Sequence, residues 1–352
     1  MPESRSAEQN IEVDGAVLLV RSPADVAVEK RTYTVSPAAG QVVIRPHFVG
    51  ICGTDLEIVR GDLDPAYVRY PLVLGHEWSG TVLALGDGVT GLELGDPVVV
   101  EGILPCMTCT QCRKGATNLC LNYDELGFTA DGAAGPAVVV PEYSTHKLRD
   151  AGLLELGALV EPAAVVLRGL LEIGLDPGRR VLVIGDGTVA LLAANLVRMW
   201  SPATVVMAGL RGEQRDLAIN MGVDEFSVEP PAERAFDVVI EAAGSTAAVE
   251  TALRSAVRGG YILLLGISGH GKAAQLFVDD VVNNDLTIRG SFSYTAAAWA
   301  GTVRLLNAGS FRPQSLITHR FGIGSAAAAL DLLAVSDGQP RGKILIDMLD
   351  LG

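Results

Sequence analysis

Four of the chain's five cysteines fall in one short stretch, "PCMTCTQCRKGATNLC", spaced Cys106-x2-Cys109-x2-Cys112-x7-Cys120. Turns at Pro105 and Gly115 let such a loop wrap around an ion. Four thiolates in tetrahedral array suit Zn²⁺, with Zn–S near ~2.3 Å, and leave no open position for chemistry, so the site would be structural. The same residues could instead hold a single iron as an electron-transfer centre, or form two internal disulfides under oxidation. The absence of further cysteine ligands for an iron–sulfur cluster favours zinc.

The fifth cysteine, Cys52 in "GICGTDLEI", invites a different metal. A catalytic zinc takes about three protein ligands and keeps one position open. The scattered candidates are Cys52, the pair His76-Glu77 in "LGHEWSG", and Glu161 in "LVEPAAV". Taken singly, each has a plainer reading: a buried thiol acting as a small hydrophobe, a satisfied histidine, a solvated carboxylate before proline.

A third set of residues could bind a dinucleotide. In "VLVIGDGTVALLAANL", Gly185, Gly187 and Ala190 fit the G-x-G-x-x-G/A arrangement between a strand and a helix that opens at Thr188-Val189. The first glycine makes the turn, the second lets backbone approach a pyrophosphate, and Ala190 keeps helix and sheet close, with phosphate charge at the helix N-terminus. About 20 residues on, an acidic residue would hydrogen-bond the ribose 2′-hydroxyl of NAD. The next strand ends instead at Gly209-Leu210-Arg211, with Arg215 one turn further. With no carboxylate to repel it, a 2′-phosphate can pair with Arg211, and NADP(H) is the expected cofactor. If both arginines are simply solvated, NAD binds as well.

These residues need elements to position them. Up to about residue 162 the runs "GQVVIRPHFVGI", "GTVLALG", "DPVVVEGI" and "AAGPAVVVPEY" are short, β-like and separated by Gly/Pro/Asp turns, as in an antiparallel barrel. Beyond it, apolar strands alternate with helical patterns: "RRVLVIG", "ATVVMAG", "FDVVIEAAG" and "GYILLLG" are each followed or preceded by a helix. That alternation predicts a parallel sheet covered on both faces. The chain closes with a helix and the strand "KILIDM", which needs a sheet to join. With 352 residues, two domains are expected. A net charge of −14 without any basic run argues against nucleic acid and anionic membranes as partners. The polar start and the short run "AVLLV" predict neither a signal peptide nor a membrane span, and with thiols kept reduced the expected location is cytoplasmic.

In order and context, "GICGTDLEI", "GHEWSG", the four-cysteine loop, "EPAAV", "VLVIGDGTVA" and "LITHRF" resemble the motifs of the medium-chain, zinc-dependent alcohol dehydrogenases, with the sorbitol, threonine and polyol dehydrogenases most similar. The resemblance runs from about Val17 to Met348. It implies an α/β protein with a GroES-like β-barrel catalytic domain (residues 1–162 and 305–352) and a Rossmann doubly wound parallel sheet (163–304), with the active site between them. It implies two zinc ions per chain and a homodimer or homotetramer. By position, Cys52, His76, Glu77 and Glu161 surround the catalytic zinc, Cys52 and His76 foremost, while Glu77 and Glu161 exchange between direct and water-mediated contact. Asp55 would orient His76. Thr54 would receive the substrate proton.

The family commonly ends its proton relay at a histidine two residues past Asp55. Here Glu57 stands there, so the proton leaves through Glu57 as a solvent-facing acceptor or through water near Glu161. Arg320 matches a position where an arginine can pair with the Glu161 carboxylate, or else it is a surface salt-bridge partner. His319 is expected to be structural, and His47, His146, His270 and Trp78 receive no role. The implied reaction is reversible hydride transfer between NADP(H) and a secondary alcohol or ketone, with zinc as Lewis acid. A carboxylate ligand makes the site more hydrophilic and fits a polyol, sugar or amino alcohol. Competing readings are an NAD-dependent threonine- or sorbitol-type enzyme, a metal-free quinone reductase, which would lack these ligands, and a nucleotide-binding structural protein without activity. Which small molecule is bound depends on the loops "GDLDPAYVRYP" and "GFTADGAAG", which carry no general code.

Overall fold

The computed structural model describes residues 10–269, 271–335 and 338–351, so His270 lies outside it. Strand Gln41–Ile51 is the pivot of the first sheet. It pairs antiparallel with Glu77–Leu85, Val138–Pro141 and Lys343–Asp347. The sheet continues through Pro97–Val100 to Thr145–Lys147 on one side and to Ile317–Gly322 on the other. A three-stranded sheet of Ile11–Ser22, Asp25–Val35 and Leu72–Val73 packs beside it. The terminal strand thus joins, besides Ile317–Gly322, a strand more than 290 residues away in sequence, beside Ile51.

Register decides what this sheet presents at its end. Gly50 pairs with Glu77 and Ile51 with Ile344. Cys52 directly follows Ile51, His76 directly precedes Glu77, and Lys343 opens the third strand, so all four emerge together. Beneath them the alternate apolar residues of Gln41–Ile51, including Val42, Ile44, Val49 and Ile51, are buried with Leu18, Val20, Trp78, Val98 and Ile346. A one-residue slip would turn these inward groups outward, which ties the positions of the polar end to the core.

The second sheet has six parallel strands in the order Glu225–Ser227, Thr204–Ala208, Arg180–Ile184, Phe236–Glu241, Ala256–Leu264 and Thr287–Gly290. Its central strand is apolar on both faces, Val181, Leu182 and Val183 being fully buried, because helices cover both sides. Strand order reverses between Arg180–Ile184 and Phe236–Glu241, and the crevice at such a reversal is where doubly wound sheets bind ligands. Helix Val160–Glu172, with Glu161 and Pro162 in its first turn where proline is tolerated, packs on Thr188–Val197 and Ala296–Asn307 and links the two sheets. Among the described residues, no helix is long and apolar enough to cross a membrane.

Candidate active site and nucleotide pocket

Cys52 Sγ, a ring nitrogen of His76 and a carboxylate oxygen of Glu77 lie within 4.8 Å of one another. Asp55, in the first turn of helix Gly53–Arg60, sits behind them. Its Oδ2 accepts the Cys52 N–H at 2.8 Å, and its Oδ1 is 3.6 Å from His76 Nδ1. Both Oδ1 and Nδ1 are buried without a hydrogen-bond partner. A short approach of the ring closes this pair, leaving Nε2 as the nitrogen available to a cation. The Phe128 ring, 5.0 Å from the imidazole, walls the other side. A soft thiolate, an imidazole backed by a carboxylate and a third oxygen donor, converging from separate elements, fit a catalytic zinc.

Burial disfavours charge on His76, but Asp55, Cys52 and Glu161 outweigh it and hold the ring well above its ordinary range. Asp55 is pushed up by burial, with His76 opposing. Glu77 is not free: its Oε2 pairs with Lys343 Nζ, both side chains being almost wholly buried, and Lys343 also donates to the Ile51 carbonyl at 3.3 Å. Burial opposes the Lys343 charge, yet Glu77 and Cys52 raise it above the ordinary lysine range. Glu161 stands outside the three-residue cluster among the described residues, but close enough to feel it. Burial pushes its carboxyl up to about 8, with Glu77 adding and His76 opposing.

The remaining expected residues divide. Thr54 is at the site, its hydroxyl accepting from Cys52 Sγ at 3.7 Å. Glu57 is exposed on the outer face of its helix, away from the ligands. Arg320 takes the second of its two expected places, a surface salt bridge: its Nε pairs with Glu155, not Glu161, with half of the side chain exposed. The physical reason is that Ile317–Gly322 is an outer strand, separated from Gln41–Ile51 by Lys343–Asp347. Of the histidines without an assigned role, His47 is bonded to Thr81 and His146 to Glu101, while His319, expected to be structural, is bonded to Thr318.

Around the metal cluster two residues went unnoticed in the sequence. One is Lys343. The other is Glu125, paired with Ile103 and held in place by Thr129, whose hydroxyl accepts the Glu125 N–H at 2.8 Å. Burial pushes its carboxyl up to about 7, with His76 opposing. The only sequence signal was the acidic pair Asp124-Glu125 just ahead of the loop "GFTADGAAG".

The four-cysteine loop closes on itself. The sulfurs of Cys106, Cys109, Cys112 and Cys120 lie within 4.8 Å of one another, and all five cysteines are free thiols, so the disulfide alternative is not what the structure holds. Cys109 Sγ is 3.5 Å from Cys112 Sγ and 3.9 Å from Cys120 Sγ. A tetrahedral ion at ~2.3 Å from four sulfurs separates them by about 3.8 Å, so the cluster fits one zinc. Hydrogen bonds from Thr108 and the Cys109 main chain bring the Cys106 thiol down to about 6, while burial pushes Cys112 up to about 12.

At the sheet reversal a cavity of about 480 Å³ is lined by Gly185–Gly187, Gly209–Arg211, Glu229, Ala242, Ala243 and neighbours. Gly185 has φ +119°, and a Cβ there would stand 2.9 Å from Ala243 N, so only glycine fits the turn. Space beyond the Gly187 Cα is open, and no side chain caps the ten-residue helix Thr188–Val197 that follows. Its free amides and open approach fit a pyrophosphate. Ala190 is buried against the sheet, and Thr188 and Val189 form the first turn. Arg211 lines the cavity but is engaged by Asp186, whereas Arg215 does not line it: its guanidinium lies over the Phe226 ring at 5.5 Å. Gln214, fully buried, donates to the Asp186 carbonyl at 2.7 Å and the Arg341 carbonyl at 2.8 Å, and accepts the Arg341 N–H at 2.7 Å, tying the glycine turn to the segment before Lys343.

Residues 38–150 match the alcohol dehydrogenase GroES-like domain model and residues 187–308 the zinc-binding dehydrogenase model. The chain is 30% identical over 331 residues to 2-dehydro-3-deoxy-L-galactonate 5-dehydrogenase of Pseudoalteromonas atlantica, covering 90% of this chain and 94% of that protein. The chain belongs to the medium-chain, zinc-dependent alcohol dehydrogenase family. D-xylulose reductase A of Aspergillus niger is 30% identical over 299 residues, covering 79% of this chain and 82% of that one. A crystal structure of a zinc-binding dehydrogenase from Sinorhizobium meliloti bound to NADP superposes with a TM-score of 0.88 at 26% identity, covering 95% of this chain and 99% of that one. The antiparallel sheet assembly is therefore the family's GroES-like fold and the parallel sheet its Rossmann fold. The protein is an oxidoreductase of the zinc-binding dehydrogenase type.

Proposed function

We propose that this dehydrogenase catalyses reversible hydride transfer between NADP(H) and a secondary alcohol or ketone belonging to a polyol, sugar or amino alcohol, with one catalytic and one structural zinc per chain. The convergence of Cys52, His76 and Glu77 at one end of the first sheet carries the reading. Zinc bound there would supply Lewis acidity that lowers the pKa of an alcohol, and the nicotinamide would accept or return the hydride.

The chain's own residues do the rest. Asp55 fixes the His76 tautomer. Thr54 takes the alcohol proton and passes it on; its hydroxyl is part-buried, and exposed Glu57 on the same helix offers a route to solvent. Glu161, at the cluster's edge, would supply a second oxygen donor once a bound zinc draws off its carboxyl proton. Arg211 contacts the 2′-phosphate, and the glycine turn with the first turn of Thr188–Val197 holds the pyrophosphate.

Sheet membership supports a catalytic domain of residues 1–162 and 305–352 around a nucleotide domain of 163–304. The parallel sheet ends in Thr287–Gly290, an exposed edge strand flanked by exposed Val278, Val282 and Phe292, which supports a homodimer or homotetramer. The free thiols fit a reducing compartment such as the cytoplasm. Metal analysis together with a screen of secondary alcohols, amino alcohols and ketones against NADPH and NADH tests the proposal. About two zinc per chain and turnover with a hydroxylated substrate are expected. A chain purified with one zinc or none, or inert toward all carbonyls at full metal loading, would overturn it.

A further inference from the structure

Strand Thr204–Ala208 ends at Gly209, with no carboxylate of its own for a ribose. A side chain could not grow there: a Cβ on Gly209 would stand 2.7 Å from Asp186 Oδ2 and 2.8 Å from the Phe226 ring. The place is filled by Asp186, reaching across from the glycine turn between Gly185 and Gly187. Its carboxylate is saturated. Oδ2 accepts the N–H groups of Leu210 at 2.8 Å and Arg211 at 2.9 Å, while Oδ1 accepts Arg211 Nε at 2.9 Å and Nη2 at 2.7 Å. Arg211 Nη2 also donates to the Asp186 carbonyl at 3.0 Å.

Asp186 is buried, and both residues line the nucleotide cavity. A carboxylate with every acceptor position taken has none left for a 2′-hydroxyl. What it does instead is clamp one edge of a planar, always charged guanidinium, whose Nη1 has no protein acceptor among the described residues. An arginine otherwise loses considerable rotamer freedom on gripping a phosphate, and here that ordering is already done by the fold.

We infer that Asp186 determines nucleotide choice in this enzyme, by holding Arg211 in the one orientation that offers its free Nη1 edge to the 2′-phosphate of NADP(H). The inference rests on the NADP(H) reading above, and the two fail differently. Asp186 is a positioning residue: it acts through Arg211.

Fluorescence titration of the zinc-loaded, full-length enzyme with NADPH and with NADH gives the two dissociation constants without any substrate. Wild type should bind NADPH at least about tenfold more tightly, the value of one charge-assisted contact. Asp186→Asn, which presents an acceptor on one face only, should erase most of that ratio. So should Arg211→Lys, which keeps the charge and the amides on Asp186 but loses the fork. Asp186→Asn combined with Arg211→Leu should lower the ratio no further than Arg211→Leu alone. A wild type that prefers NADH or neither nucleotide defeats the NADP(H) reading. A wild type that prefers NADPH, with the preference kept in Arg211→Lys or in folded Asp186→Asn, defeats the role of Asp186 and leaves that reading standing.

Discussion

Glu77 and Lys343 form a buried ion pair at the wall of the Cys52–His76 cluster, although 266 residues separate them in sequence. Removing one partner of such a pair leaves an uncompensated charge away from water, which costs about 3–5 kcal/mol. Lys343→Met should therefore lower the midpoint of denaturant unfolding substantially, and adding Glu77→Gln should recover most of the loss. The lysine's pKa is raised in the fold, so its contribution is complete below the ordinary value of 10.5 and fades only as pH climbs past the raised one. A Lys343→Met chain as stable as wild type at neutral pH would show that the pair contributes little.

Asp55 and His76 face each other through two unpaired buried atoms. If the carboxylate serves to orient the ring toward a cation, Asp55→Asn should weaken zinc retention or kcat by about 10- to 100-fold while the chain stays folded. Equilibrium dialysis against a zinc buffer reads this directly. Unchanged zinc affinity together with unchanged kcat would reduce Asp55 to a helix cap for the Cys52 N–H.

Arg320, expected either beside Glu161 or in a surface salt bridge, is found on Glu155 with half its side chain in solvent. Exposed pairs of this kind contribute roughly 0–1 kcal/mol. Arg320→Ala should leave kcat/KM unchanged and shift stability by no more than that. A tenfold fall in kcat/KM would place the arginine at the substrate in the working enzyme.

What could be read from the sequence was what is local. The four cysteines and the strand–glycine–helix unit each sit within one short segment, so spacing alone describes them. Cys52, His76 and Glu161 are scattered, and only the order of their motifs linked them. Lys343 and Asp186 escaped because their meaning depends on neighbours brought by register. "KILIDM" reads as an apolar strand with a basic first residue until Ile344 is laid against Ile51. Asp186 reads as a turn former until Gly209 is seen to leave it room. Arg320 stayed open between two partners because sheet order, which puts its strand one place too far from the centre to reach Glu161, is likewise not written in the motif.

The four-cysteine loop should be separable from the catalytic cluster. Cys112→Ser should reduce zinc from about two per chain to one and destabilise the loop, because three thiolates and a hydroxyl make a poorer tetrahedron. Metal analysis with a thiol titration checks it. Loss of both ions from a folded chain would mean that the two sites are not independent.

Glu125 offers a test by pH. Burial raises its carboxyl from 4.5 to about 7, so between those values the folded chain binds more protons than the unfolded one. By linkage, stability then falls as pH rises through that window, and above it the fold carries the full cost of burying a charged carboxylate. Glu125→Gln removes the ionisation. It should stabilise the protein near pH 8 by at most about 3 kcal/mol, and the gain should shrink to a fraction of that near pH 5. Denaturant melts of both chains at the two pH values decide the matter, and a difference that does not vary with pH would place the Glu125 carboxylate in water rather than against His76.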